Sequence, residues 1–161
     1  MSTYKIERVS NLIVVNAIAQ QLRQADIDEV LRMGYKSGFD AVMESVKAST
    51  EDCYIVIDNH TQSPFCIFGV CNQSTAPAPW LLCSDKIHKH KKSLLREAKP
   101  ILNAFKEKYG RLSNYVSVNH DESNSSTTLG LSSVKLPTLT IINSSTSTWR
   151  HNIWTRLLLR Y

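Results

Sequence analysis

The pattern of apolar and polar positions in the first 120 residues predicts strands and helices arranged around a central hairpin. Alternating or continuous apolar runs predict strands at 5–9, 53–57, 65–71, 79–83 and 115–119. Apolar residues that recur every three or four positions predict helices at 11–23, 26–34, 38–48 and 93–109. The last strand, helix and strand form a unit that is typical of ligand-binding α/β or α+β domains.

Local sequence signals mark where several of these helices begin, bend and end. Asp26 and Glu29 have the spacing of a capping box, so we expect the second helix to begin there. Gly34 and Gly110 suit the left-handed residue that closes a helix, and Pro100 is expected to kink the long helix. The apolar face of the third helix is predicted to consist of Phe39, Val42, Met43 and Val46.

The composition of the chain changes after residue 122. More than half of residues 123–148 are Ser or Thr, and Lys135 is the only charged residue among them. The run at 136–142 has the composition of a strand, and its proline favours an edge position. Residues 149–161 are basic and apolar and fit either an amphipathic helix or a strand. We therefore expect a domain at 1–122 and an atypical segment at 123–161 that has diverged or packs incompletely.

Positive charge is concentrated just before the long predicted helix. The formal net charge is +5, and the predicted turn at 86–92 holds Lys86, Lys89, Lys91 and Lys92 together with His88 and His90. Basic surfaces favour anionic partners, so a nucleotide, a phosphorylated cofactor or nucleic acid would suit this turn. A solvated helix start is the alternative interpretation, and both stay open.

The cysteines and the apolar runs narrow the class of protein. The four cysteines form no Cys-x-x-Cys pair and each lies in or beside an apolar run. We therefore expect buried thiols in a reducing compartment and no metal, with a disulfide or a metal site as the alternative. No apolar run is long enough to span a membrane, and the N-terminus lacks the layout of a signal peptide. These features predict a protein of the cytoplasm or of a particle assembled there.

Four stretches of the chain carry a family resemblance: a Trp-led strand ending in Ser-Asp at 79–86, the Lys-rich turn at 86–92, a Glu-Lys-Tyr helix end at 105–109 and an Asn-Tyr-Val strand at 112–119. In these stretches the chain resembles a GNAT-like protein family of short-tailed bacteriophages. The resemblance covers roughly residues 4–120, and the order of elements is that of the GNAT acyltransferase fold. It implies an α+β fold with a mixed, mostly antiparallel sheet flanked by helices. It also implies an internal virion protein of the virion interior or host cytoplasm, with other virion or host proteins as partners.

The resemblance further implies an acetyl-CoA site between the fourth strand and the long helix. Main-chain groups of Leu82 and Cys83 would hold the pantetheine, and the four lysines would hold the phosphates. Asn119 follows the last strand, where GNAT enzymes open a gap for the acyl chain, and His120, or Asp121 and Glu122 next to it, could supply a general base. A polar loop after the strand is the alternative interpretation. GNAT proteins that use acyl-CoA carry a Gln/Arg-x-x-Gly-x-Gly/Ala turn whose amides cradle the pyrophosphate, whereas the turn at 86–92 has no glycine. The sequence of the turn at 86–92 therefore does not predict an amide cradle for the pyrophosphate.

Three functions are consistent with these features. The leading one is a phage internal virion or accessory protein whose acyl-CoA site is degenerate. The second is an active N-acetyltransferase that moves an acetyl group from acetyl-CoA to an amine. The third is a small basic factor that binds a host protein or nucleic acid, the latter through the basic turn. Binding of acetyl-CoA separates the first two, and salt-sensitive binding to DNA would favour the third.

Overall fold

The computed structural model describes residues 3–49, 51–72, 77–110, 112, 115–117 and 139–141. Its centre is a four-stranded sheet whose strands follow one another in sequence and pair antiparallel. The strands are β1 (Tyr4–Arg8), β2 (Cys53–Asp58), β3 (Pro64–Cys71) and β4 (Ala78–Cys83). The predicted hairpin is confirmed as β2 and β3, which pair from Cys53 opposite Gly69 to Ile57 opposite Pro64.

Helices precede and follow the two central strands. Three of them lie between β1 and β2 and one follows β4: α1 (Leu12–Ala19), α2 (Gln24–Arg32), α3 (Gly38–Ser49) and α4 (Ile87–Tyr109). A second, two-stranded antiparallel sheet joins β5 (Tyr115–Ser117) to β6 (Leu139–Ile141). Both of these short strands fall inside runs where the sequence predicted strands.

The four-stranded sheet buries both of its faces, because side chains alternate sides along each strand. One face packs against α4 in a core that includes Val56, Phe68, Leu81, Cys83, Ile87, Leu94 and Phe105. The other face packs against α1–α3 in a core that includes Val15, Ile18, Val42, Ile55, Ile57, Ile67 and Leu82. The sheet therefore separates α4 from the three-helix layer, and the end of β4 leads directly into α4.

Several helix boundaries differ from those predicted. The long helix begins at Ile87, six residues before the predicted start, so the predicted basic turn is wrong and most of it is helical. The first helix ends at Ala19, before its predicted end near residue 23. The second helix begins at Gln24, and Asp26 lies inside its first turn rather than at the cap, so the predicted capping box is also wrong. The third helix is confirmed, but Phe39 is 43% exposed and lies off the buried face.

Two glycines end helices as the sequence predicts. Gly34 follows α2 with φ of 95°, and Gly110 caps α4 with φ of 66°. These left-handed conformations cost glycine little because it has no Cβ. The helix α4 continues through Pro100, and the kink expected there stays a prediction.

Some predictions fall on residues outside the described part of the chain. Asn119, His120 and nearly all of the segment at 123–161 lie there, so the proposed division into 1–122 and 123–161 stays a prediction. Within the described residues, no helix combines the length and the apolar character that a membrane crossing requires.

Candidate functional site

The main-chain groups at the end of β4 are held by Arg23 of the α1–α2 loop and Asp26 of the first turn of α2. The amide of Cys83 donates to Asp26 Oδ2 at 2.7 Å, and the amide of Arg23 donates to the Cys83 carbonyl at 2.9 Å. Both polar main-chain groups of Cys83 are therefore engaged by neighbouring residues. A pantetheine could reach them only if the α1–α2 loop moved.

The other predicted pantetheine contact, Leu82, is turned toward the neighbouring strand. Leu82 lies opposite Ile67 of β3, and the amide of Ser84 donates to the carbonyl of Phe65 on the same strand. Because hydrogen-bonding directions alternate along an antiparallel strand, the main-chain groups of Leu82 also point toward β3. The role of these two residues in pantetheine binding stays a prediction.

Arg23 and Asp26 form a buried ion pair beside the end of β4. Arg23 Nη2 lies 2.7 Å from Asp26 Oδ1, and the two side chains are 5% and 3% exposed. Burial raises the pKa of Asp26, and this effect outweighs the opposing hydrogen bond and charge of Arg23. Arg23 was not among the residues predicted from the sequence, and Asp26 was predicted only as a helix cap. The Arg-x-x-Asp spacing across a helix start was the available signal.

The junction between β4 and α4 has few free amides to offer a phosphate. Only three residues, 84–86, separate the strand from the helix. The amide of Ile87 donates to the Ser84 carbonyl at 3.1 Å, and the amide of Lys89 donates to the Lys86 carbonyl at 3.2 Å. The amide of His88 donates to the carbonyl of Asp85 at 3.3 Å. Amides that would otherwise be unpaired at a helix start are thus bonded within the chain.

The four lysines of the predicted phosphate site do not converge on one point. Lys86 Nζ lies 3.4 Å from Thr61 Oγ1 in the β2–β3 turn. Lys89 and Lys92 are exposed, whereas Lys91 is half-buried. Because each residue of a helix is rotated by about 100° from the one before, Lys91 leaves α4 on another side from Lys89 and Lys92, which are neighbours one turn apart. The prediction that all four hold one ligand's phosphates stays untested.

A shallow, open cleft of about 430 Å³ lies where β1, the β2–β3 turn and α4 meet. Its lining consists of Thr3, Asp58, Asn59, His60, Lys89 and His90. His90 Nε2 lies 3.8 Å from Asp58 Oδ2, and its ring contacts Phe65 with centroids 4.9 Å apart. The cleft therefore combines Lys89 and two imidazoles with one carboxylate, a mixture that does not select an anion by charge alone.

Asp58 acts as a turn residue in this cleft. Its Oδ1 accepts from the amides of His60 at 2.8 Å and Thr61 at 3.0 Å. These two amide hydrogen bonds, assisted by the charges of His90 and Lys86, lower the pKa of Asp58. The Asp58 carboxylate therefore stabilises the β2–β3 turn through these hydrogen bonds.

The predicted acyl-transfer residues are Asn119 and His120. Asn119 and His120 lie outside the described residues, so their roles stay predictions. Within the described ranges, no group of three His, Cys, Asp or Glu side chains is arranged to hold a metal ion.

Comparison with known proteins gives a fold and no close relative. No family model matches the chain, and no curated protein matches it. The solved structure of Ard1 from Thermoplasma volcanium is similar with a TM-score of 0.50 at 12% identity, covering 76% of this chain and 77% of that one. A GNAT-family acetyltransferase from Bacillus anthracis gives 0.49 at 11% identity, covering 74% and 73%. The predicted α+β fold of the GNAT-like type is confirmed by the likeness to Ard1 and by the antiparallel sheet flanked by helices.

Proposed function

We propose that this chain is a GNAT-fold accessory protein whose acyl-CoA site is degenerate, of the kind that short-tailed phages carry as internal virion proteins. The observation that carries the proposal is the junction between β4 and α4, where the amides of Ile87, His88 and Lys89 are bonded to carbonyls of the same turn. A phosphate at this helix start would find few free N–H groups. The phage assignment depends on the sequence resemblance alone.

The residues present do not fit a CoA pyrophosphate held by main-chain amides. No glycine occurs between Ser84 and Lys92, so the backbone has no position that favours close approach to a phosphate. The polar main-chain groups of Cys83 are occupied by Arg23 and Asp26. Lysine side chains could attract phosphates as point charges, but they would not reproduce the fixed amide geometry.

Titration with acetyl-CoA tests the proposal directly. Isothermal titration calorimetry up to about 1 mM cofactor, the upper end of ordinary KM values, should show no saturable binding. Mass spectrometry of amine acceptors incubated with protein and acetyl-CoA should show no enzyme-dependent acetylation. Saturable binding below that concentration, with or without acetyl transfer, would overturn the degenerate site.

The fold itself favours a second candidate, an active N-acetyltransferase. In that case Lys86 and Lys89, three residues apart at the start of α4, would hold the phosphates by charge, and Asn119 and His120 would face the acyl group. The double variant K86Q/K89Q should then weaken acetyl-CoA binding at least about tenfold, because each phosphate contact is charge-assisted. The matched variant K36Q/K47Q removes two exposed lysines elsewhere and should leave binding unchanged.

A further inference from the structure

The solvent-facing side of α4 carries a continuous row of cations. It consists of Lys89, Lys92, Arg96 and Lys99, which we call the basic stripe, and all four residues are exposed. Their spacing of three, four and three residues places them within an arc of about 80° on the helix surface. The opposite side of α4 is buried in the core, so the stripe points away from the sheet.

The basic stripe is uniform in sign and is not neutralised by the described residues around it. None of its four side chains forms an ion pair with a carboxylate in the described part of the chain. The nearest acidic residues of the same helix are Glu97, which is half-buried on another side, and Glu107, two turns further on. Asp85 precedes the helix and is exposed. Four adjacent cations therefore face solvent together.

The length of the basic stripe matches a short run of phosphates. Ten residues separate Lys89 from Lys99, which corresponds to about 15 Å at the rise of an α-helix. Each strand of B-form DNA carries one phosphate per about 3.4 Å of helix axis, so the stripe spans about four phosphates. A polyanion with regularly spaced charges is the partner that this surface complements.

The neighbours of the basic stripe argue against a membrane and against single-stranded nucleic acid. The exposed residues beside it include His88, Pro100, Asn103 and Ala104, which offer no bulky apolar group to insert into lipid. Phe105 is buried and Tyr109 is half-buried, so His88 carries the only exposed ring of α4, whereas single-strand binding relies on several rings that stack successive bases. Contact with the phosphate backbone of a duplex needs neither an apolar group for insertion into lipid nor a series of exposed rings for stacking.

We propose that the basic stripe docks α4 on the phosphate backbone of double-stranded DNA, without reading the base sequence. B-form DNA admits a helix at its major groove, whereas the major groove of duplex RNA is too narrow. The stripe extends two turns beyond the lysine cluster that the sequence singled out, and Arg96 and Lys99 supply half of its charge. The proposal is independent of whether acetyl-CoA binds.

The salt dependence of DNA binding tests the proposal. Fluorescence anisotropy with a mixed-sequence duplex of about 20 base pairs, from about 25 to 200 mM NaCl, should give a log–log slope near −3.6 for four phosphate contacts. The variant K92Q/R96Q/K99Q should lower that slope to about −1 and weaken binding at low salt, because each contact contributes about one unit. The matched control K5Q/K36Q/K47Q removes the same net charge from exposed positions outside α4 and should keep the slope.

Five outcomes would overturn the proposal. Four of them are no binding by the wild type at the lowest salt, an unchanged slope in the α4 variant, an equal loss in the control, and tighter binding to duplex RNA of the same sequence. A fifth is preferential binding to vesicles of about 30% phosphatidylserine in phosphatidylcholine, which would assign the stripe to a membrane surface. Circular dichroism and melting temperature should match among the three proteins, since all substituted positions are exposed.

Discussion

At the scale of single residues, the cysteines show how burial sets chemical reactivity. Cys53, Cys66 and Cys83 are buried free thiols, and Cys71 is half-buried. Burial raises the pKa of Cys53 to about 12. Burial, and then the thiol of Cys83 at 3.1 Å, holds the pKa of Cys66 well above its usual range. Since the thiolate is the reactive form, Cys53 and Cys66 should be slow to react.

This difference in burial predicts a reaction order for the four thiols. At about pH 8, near the ordinary thiol pKa, iodoacetamide should modify Cys71 first in the native protein, and the other three only after unfolding. Mass spectrometry of peptides at successive times measures the order. Cys71→Ser should remove the native-state reaction. Fast native labelling of Cys66 or Cys83 would contradict the prediction.

At the scale of elements, one carboxylate secures the far end of α4. Asp52 lies between α3 and β2, and its Oδ2 accepts from Lys108 Nζ at 2.6 Å and from the Tyr109 hydroxyl. The carbonyl of Asp52 also accepts from the amide of Val70. A Cβ on Gly69 would lie 2.5 Å from that carbonyl, so the strand needs glycine there. The end of α4, the end of α3 and β3 therefore meet at one residue.

Replacing this carboxylate should destabilise the protein in a pH-dependent way. Burial raises the pKa of Asp52, but the hydrogen bonds from Lys108 and Tyr109 outweigh it and leave the pKa below its usual value. As pH falls, the unfolded chain therefore binds a proton at Asp52 before the folded protein does. The stabilisation that the Asp52 carboxylate provides is fully present above about pH 4 and is lost as pH falls below that. Asp52→Asn should lower the free energy of unfolding by about 1–3 kcal/mol at pH 7.

Urea unfolding at several pH values checks this expectation. The difference between wild type and Asp52→Asn should shrink as pH falls below about 4, the unperturbed aspartate value. Asp85→Asn, at an exposed position, is the matched control and should change stability by less than about 0.5 kcal/mol. A stability difference between wild type and Asp52→Asn that is constant across this pH range would show that the charge of Asp52 does not stabilise its contact with the end of α4.

At the scale of the whole molecule, periodicity predicted the fold better than it predicted the site. The hairpin and α3 follow from local patterns, and both are present as predicted. The start of α4 was missed because lysines were interpreted as turn residues, although lysine is a good helix former. The contact of Asp26 with Cys83 joins residues 57 positions apart, and no local pattern encodes it. That contact decides whether the end of β4 is open to a ligand.

The Arg23–Asp26 pair therefore links the α1–α2 loop to β4, and a double-mutant cycle should measure that link. Arg23→Met and Asp26→Asn should each cost about 3–5 kcal/mol, because each leaves a buried charge or donor without its partner. The double variant should cost less than the sum by about 1–3 kcal/mol. Strict additivity would mean that the two side chains act separately.

The pH dependence of this pair should have the opposite sign to that of Asp52. Because burial raises the pKa of Asp26, the folded state takes up a proton at higher pH than the unfolded chain does. The contribution of Asp26 to stability should therefore increase as pH falls through its folded pKa toward about 4, and be constant below that. Unfolding of wild type and Asp26→Asn from pH 7 to pH 4 should show a widening difference. A narrowing one would mean that Arg23, rather than burial, controls this carboxylate and that the β4 end is held mainly by charge.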